Sequence, residues 1–239
     1  MLILQKSRKN LANPVGKARH DPLIILPQKL PPQAPERTKH AGVSMKAPLG
    51  VILAGGLATR MGGGDKGLLP LGQGTILSNV IARLDPQVAG LALNANGDPA
   101  RFANLDLPVI HDSIDGFAGP LSGVLAGLDW AASLGATHIV TAAADTPFFP
   151  CDLVPQLLQA AENAGTQIAL ARTPDGRHPT FGLWPTALRD DLRAALTDGL
   201  RKVVLWTDKH GCATARFPDD DAFFNVNTPE DLTKAESML

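Results

Sequence analysis

The stretch Val51-Ile-Leu-Ala-Gly-Gly-Leu-Ala-Thr-Arg-Met-Gly-Gly-Gly-Asp-Lys-Gly-Leu68 decides the fold. Its opening is apolar and of strand length, and it stops at two glycines before a loop that carries Arg60 and Lys66. Gly55 and Gly56 have no side chain to block a close approach. Their backbone N–H groups therefore suit anionic oxygens, and the two cations offset the charge. A strand that feeds such a loop places a polyphosphate cradle at its carboxyl end, and the ligand class this implies is a nucleoside triphosphate.

Two better-known phosphate loops are excluded. A Walker loop needs Gly-Lys followed by Ser or Thr, whereas Lys66 is preceded by Asp65 and followed by Gly67. A literal G-x-G-x-x-G at Gly62, Gly64 and Gly67 lies several residues past the apolar run, with no strand leading directly into it, and is accidental. The plainer alternative is a glycine-rich surface loop with solvated charges.

Outward from this stretch, apolar runs of strand length alternate with helical patterns, the mark of a doubly wound, mostly parallel Rossmann-like sheet covered on both faces. Leu49 to Leu53 reads as the first strand and Thr75 to Leu84 as the first helix. Val88 to Leu93, Leu107 to Ile110, Ala136 to Ala142 and Phe181 to Trp184 read as further strands. Leu121 to Leu134 reads as a helix opened by Gly119-Pro120. Ligands of such sheets bind at the carboxyl ends of strands, where Gly55, Asn94, Asp112 and Asp145 all fall.

The chain of 239 residues fits one large domain or two small ones. With 22 basic and 23 acidic residues it shows no basic excess of the kind a nucleic-acid surface needs, so a small substrate is expected. Cys151 and Cys212 are too few for a disulfide framework and too far apart for a zinc knuckle, which suits a reducing cytoplasm. No apolar run approaches the roughly 18 residues of a membrane helix, so a soluble protein without membrane partners is expected. Residues 1–45 differ from the rest. Nine Lys or Arg through Lys46 face only Asp21 and Glu36, with prolines at 14, 22, 27, 31, 32 and 35. The expectation there is a disordered basic, proline-rich extension, ahead of one domain over 46–239 whose true start is Met45. The basic, acid-poor composition leaves an organellar transit peptide open as the alternative reading.

Leu-Ala-Gly-Gly, Arg60-Met61-Gly62 and Asp65-Lys66-Gly67-Leu68 together resemble the signature of the molybdenum cofactor guanylyltransferases. Their relatives include the sugar-nucleotide and cytidylyl transferases, and Asp-Lys-Gly-Leu is more typical of the molybdenum cofactor branch. The resemblance implies an α/β nucleotidyltransferase. It would take GTP and molybdopterin, release pyrophosphate, and form the guanine dinucleotide of the cofactor with Mg2+. Transient contact with molybdenum insertion proteins or recipient enzymes goes with that role.

By the same resemblance Leu53, Ala54, Gly55, Gly56, Lys66, Asn94 and Asp112 contact the nucleotide, and Asp145 both contacts it and holds magnesium. Arg60 and Lys66 with Asp145 would stabilise the transferring group. Magnesium prefers one or two carboxylates plus phosphate oxygens and water, which suits a lone Asp after a strand. An Asp followed by Thr-Pro is also an ordinary turn former, and Asp112 and Asn94 carry the same alternative.

Three further motifs point to the second substrate. Gly119-Pro-Leu-Ser-Gly123 opens a helix with small residues on which a phosphate or flat ring can lie. His178-Pro-Thr180 matches a family motif near the pterin. In Phe224-Asn-Val-Asn-Thr-Pro-Glu-Asp-Leu232, Asn225 and Asn227 alternate with Val226 and project to one side of a strand, offering amides to a pterin. Thr228-Pro-Glu-Asp is at the same time a proper helix start. Arg201 and Lys202 open another helix near the pterin phosphate by resemblance, although adjacent residues point different ways and a solvated face is the safer reading. Arg177 is a further candidate for an anionic partner. The competing readings are a different nucleotidyltransferase, cytidylyl or sugar-activating, and a noncatalytic nucleotide sensor, which should lack Asp145.

Overall fold

The computed structural model describes residues 47–55, 65–114, 116 and 119–239, all within one compact unit, Val43–Leu239. The basic extension 1–45 and the expectations for Gly56 and Arg60 lie outside the described residues.

The apolar run forms β1 (Leu49–Leu53), after which come the short hairpin β2 (Pro70–Leu71) and β3 (Gly74–Thr75) and helix α1 (Ile76–Leu84). Next are β4 (Leu91–Asn94), β5 (Val109–Ile110), α2 (Pro120–Ser133), β6 (His138–Ala143) and α3 (Leu153–Ala164). The chain ends with β7 (Ile168–Thr173), β8 (Gly176–Pro185), α4 (Arg189–Thr197), α5 (Val203–His210), β9 (Cys212–Arg216) and α6 (Pro229–Ser237). Seven strands make one sheet in the order β5-β4-β1-β6-β8-β7-β9, with β8 alone running against its neighbours. The mostly parallel sheet read from the sequence is therefore present.

Its two faces are both covered, and β1 shows why its residues are apolar throughout. Ile52 packs into a core with Leu77, Val80 and Leu84 of α1 and Leu153 and Leu157 of α3. Its neighbour Val51 points the other way, into a core with Leu121, Val124, Leu125 and Leu128 of α2. Alternate residues of a strand feed opposite faces, so a strand sandwiched between helices has no polar side. α2 lies close to the sheet because Gly127 faces Val51 and Ile139, where an added Cβ would come within 2.8 Å of both side chains.

Boundaries move where the sequence pattern is short. The second strand starts at Leu91, not Val88, because Asp85-Pro-Gln87 forms a single 3-10 turn capped at Val88. β8 runs from Gly176, so it includes His178 instead of following it. The segment 224–228 is not a strand: Val226 is buried and both asparagines are exposed, and among the described residues its one backbone bond across is from Val226 N–H to Asp145 O at 2.8 Å. The alternation holds without a ladder because an extended chain turns successive side chains to opposite sides whether or not it is paired.

Candidate active site

Adjacent strand ends assemble the site. Leu53 at the end of β1 stands opposite Asn94 of β4 on one side and Ala143 of β6 on the other, and Asn94 stands opposite Ile110 of β5. The chain leaving each strand therefore delivers Gly55, Asn96, Asp112 and Asp145 to one edge of the sheet, as the doubly wound arrangement requires. The ladder continues one step past each strand. Ala54 N–H donates to Asn94 O at 2.8 Å and Ala144 N–H to Leu53 O at 3.0 Å. The amide of Ala54 is thus committed to the sheet, and Gly55 is the exposed residue just beyond it.

On one side of this edge, Asp112 is held by two asparagines. Asn94 Nδ2 donates to its Oδ1 at 3.0 Å and Asn96 Nδ2 to its Oδ2 at 2.9 Å, while the Asp112 N–H donates back to Asn96 Oδ1 at 3.0 Å. Both carboxylate oxygens have a fixed donor and keep lone pairs for a further one. Asn94 is only 2% exposed, and Nδ2 also reaches Ile110 O. Gly123 makes room for it: a Cβ there would fall 2.3 Å from Asn94 Oδ1 and 2.8 Å from Leu53 Cδ2. The glycine of the Gly119-Pro-Leu-Ser-Gly123 motif thus seats α2 against the residue that steadies Asp112.

On the other side, Lys66 opens a single 3-10 turn, Lys66–Leu68. Its Nζ donates to Asp145 Oδ2 at 2.7 Å and to Asn227 Oδ1 at 2.6 Å. Both members of the ion pair are partly accessible, the Lys66 side chain 19% and that of Asp145 27% exposed. Asn225 Oδ1 accepts a short hydrogen bond from the buried Thr146 hydroxyl, so both asparagines dock beside the end of β6. Their approach is fixed by α6. Thr228 caps that helix by accepting from Asp231 N–H at 3.1 Å, and the Asp231 carboxylate accepts from the N–H groups of Asn227 and Thr228, each at 2.9 Å. The hydrogen bond from the Asn227 amide is the main reason the Asp231 carboxyl is held below the usual range.

The structure therefore brings together Gly55, Asn94 and Asp112, and brings together Lys66, Asp145 and Asn227. Gly119 caps α2 with φ +137°, a backbone conformation that side chains resist. His178 stacks on Phe223 with ring centroids 4.3 Å apart and shares a hydrogen bond of 2.8 Å with Thr173 Oγ1. Burial lowers its pKa against the opposing pull of Asp220 and Asp175, so the neutral ring is favoured. Arg177 pairs with Asp208 at 2.9 Å. Arg201 and Lys202 precede α5 and are exposed, with Arg201 Nη1 donating to Leu200 O at 2.9 Å. Sequence reasoning passed over Asn96 and Thr146, and it read Asp231 only as part of the helix start, which the capping box bears out. Asn96 carried a legible signal, standing two residues after Asn94 and so on the same side of an extended chain.

Asp145 fits a divalent ion that is completed by its substrate. Among the described residues no cluster of three or more His, Cys, Asp or Glu could cage a metal, and Asp145 offers one partly accessible carboxylate at the cleft. Magnesium of the kind held by one carboxylate plus substrate phosphates needs no more from the protein.

Comparison with known proteins places the chain in context. The family described as MobA-like NTP transferase domain matches residues 50–211. A molybdenum cofactor guanylyltransferase of Cereibacter sphaeroides is 54% identical over 190 residues, covering 80% of this chain and 96% of the relative. The crystal structure of molybdopterin-guanine dinucleotide biosynthesis protein A from Archaeoglobus fulgidus superposes with a TM-score of 0.62 at 24% identity, covering 80% of this chain and 97% of that one. A structure of Rv0371c from Mycobacterium tuberculosis in complex with manganese superposes at 0.59 with 19% identity, over 81% of this chain and all of that one. The two structural likenesses speak to the fold.

Proposed function

The chain belongs to the MobA-like NTP transferase family, among the molybdenum cofactor guanylyltransferases, and we propose that it transfers GMP from GTP to molybdopterin with Mg2+. Pyrophosphate leaves, and the product is molybdopterin guanine dinucleotide. The observation that carries this reading is the reach of Lys66, whose one ammonium touches both the carboxylate at the end of β6 and the amide of Asn227. A cation at that junction lies between the side assigned to the triphosphate and the side assigned to the pterin.

Each residue then has a defined task. The exposed backbone at Gly55, with Gly56 and Arg60 following it in sequence, receives the phosphates, while Leu53 and Ala54 contact the nucleotide at the end of the ladder. Asp112, steadied by Asn94 and Asn96, accepts hydrogen bonds from the nucleoside. Asn225 and Asn227 present their amides to the pterin, with Gly119 and His178 as further lining and Gly123 acting by seating Asn94. Asp145 would hold magnesium, which when bound neutralises charge on the triphosphate oxygens. Lys66 supplies positive charge where negative charge develops, so the protein contributes positioning and electrostatics, with no covalent intermediate. The attacking phosphate of molybdopterin is already ionised near neutral pH and needs no dedicated general base. No helix among the described residues is long and apolar enough to cross a membrane. A cytoplasmic enzyme that hands its product to insertion proteins or recipient enzymes belongs to the same proposal.

Mass spectrometry of the pterin after incubation with GTP, Mg2+ and molybdopterin tests this directly. The expected result is a gain equal to one GMP unit. A larger yield of the cytidylyl product when CTP is supplied alongside would overturn the choice of base.

A further inference from the structure

Arg101 lies on neither substrate motif, yet it joins the two halves of the site. It sits on the 3-10 segment Pro99–Leu105, which is started by Asp98 accepting from Ala100 N–H at 2.9 Å. Its Nη2 donates to Asn96 O at 2.7 Å, and its Nε lies 3.2 Å from Asp65 Oδ2. Asn96 is the residue whose side-chain amide clasps Asp112, with Nδ2 donating to the carboxylate and Oδ1 accepting from the backbone N–H. Asp65 is the residue before Lys66, at the N-cap of the turn that Lys66 opens. Its carboxylate does not cap that turn but faces the guanidinium instead.

Two local features hold Arg101 in this bridge. Gly97 adopts φ +85°, so the chain turns back immediately after Asn96, and its α-carbon leaves the guanidinium room: even an added Cβ would stand 3.7 Å from Nη1. The guanidinium carbon also lies 4.9 Å from the ring centre of Phe102. A flat, forked cation can serve a carbonyl and a carboxylate at once, which a lysine ammonium does with much less geometric definition. As a stability contribution a partly exposed pair of this kind counts for little. Its value lies in what it ties together.

We propose that Arg101 is a positioning residue that locks the Asn96–Asp112 clasp to the Asp65–Lys66 turn, so that nucleoside recognition and phosphate chemistry are set by one contact. What the two ends hold rests on the function proposed above; the mechanical link does not. When Arg101 is removed, Asp112 and Lys66 each keep their other partners but lose their fixed separation, and a nucleotide that spans both pays for realigning them.

The test uses Asp65→Asn, Arg101→Gln and the double variant. Residue-resolved amide exchange is read at Asp112, whose N–H is bonded to Asn96 and not to Asp65. Asp65→Asn is expected to speed exchange at Asp112 by about threefold or more, because the loss is transmitted through Arg101. Arg101→Gln should match or exceed it, and the double variant should exchange no faster than Arg101→Gln alone. In steady state with GTP, Mg2+ and molybdopterin, Arg101→Gln is expected to raise KM for GTP about tenfold while leaving KM for molybdopterin within about twofold. An Asp112 exchange rate in Asp65→Asn equal to wild type, or effects that multiply in the double variant, would overturn the link. Should wild-type protein fail to make the dinucleotide, the functional reading fails, and the exchange comparison still decides the link. Asp65→Asn removes only a charge at a partly exposed site, so it reports even if Arg101→Gln unfolds.

Discussion

Lys66 Nζ and Asp145 Oδ2 stand 2.7 Å apart, joining the turn after the glycine-rich loop to the end of β6 across 79 residues of chain. The cation of the loop and the carboxylate of the strand thus neutralise one another in the free protein. Substrate phosphates and a divalent ion would each offer one of them a new partner. A partly solvated pair of this kind is cheap to part, so the site is held in shape without being locked.

Replacing Lys66 with Ala should lower kcat at least about a hundredfold, the scale for removing a donor aimed at transition-state charge. The protein should stay folded, because the lysine is partly exposed and lies outside both large cores. Pyrophosphate release, followed alongside circular dichroism, checks both halves. A folded variant that turns over near the wild-type rate would remove Lys66 from the chemistry.

Gly123→Ala should act at a distance from either substrate. The new methyl meets Asn94 Oδ1 and Leu53 Cδ2 at distances no real side chain tolerates, so α2 or Asn94 must shift. A cost of about 1–3 kcal/mol is expected, as for overpacking elsewhere. Since Asn94 steadies Asp112, KM for GTP should rise more than KM for molybdopterin. The reverse pattern would place Gly123 against the pterin itself.

β1, β4, β5 and β6 were legible because they are largely apolar and stop just before or at glycine, asparagine or aspartate, whereas β7 and β9, which run out into Thr173 and Arg216, gave no such signal, and only Phe181–Trp184 of β8 was read. β1 coincides with its reading, and Thr75 and Gly119 cap the helices that were read to start beside them. What could not be read was anything set by pairing between distant segments. Nothing local in Phe224-Asn-Val-Asn tells that it docks on β6 through a single backbone bond, or that Asn227 meets Lys66 from 161 residues away. His178 was read as a substrate neighbour, and its stacking on Phe223 depends on a residue 45 positions later that gave no signal. Asn94 was read as a contact for the nucleotide. Its burial beneath Asp112 follows from Gly123 admitting α2, which no periodicity reveals.

Thr228→Ala should loosen the pterin side. Losing the cap to Asp231 N–H costs about 1 kcal/mol, which for a domain of this size lowers Tm by about 2–4 °C. The same change frees Asn227 from its fixed approach, so KM for molybdopterin should rise while that for GTP does not. Calorimetry and steady-state rates read the two effects, and an unchanged Tm would show that the cap contributes nothing.

Acid should weaken the fold in two windows. His178 and His138 have pKa values lowered by burial from 6.5, so the native state favours their neutral forms. Their contribution is complete above 6.5 and is lost as the pH falls below it toward the lowered values, because the unfolded chain then binds more protons. Asp231 is also lowered, from 3.8, chiefly by the hydrogen bond from the Asn227 amide, and its contribution persists above that value and fades as the pH falls through the native one. Denaturant midpoints measured from pH 7.5 to 5 should decline, and His178→Gln should flatten the decline. An unaltered slope in that variant would mean His178 is not what the acid acts upon.

The most direct trial of the account is a crystal structure of the protein with GTP and magnesium bound. The triphosphate is expected across the carboxyl ends of β1, β4 and β6, with Lys66 on its phosphates, the ion on Asp145 and Asp112 on the nucleoside. Density for the nucleotide elsewhere, or an ion held without Asp145 beside a Lys66 that touches no phosphate, would contradict it.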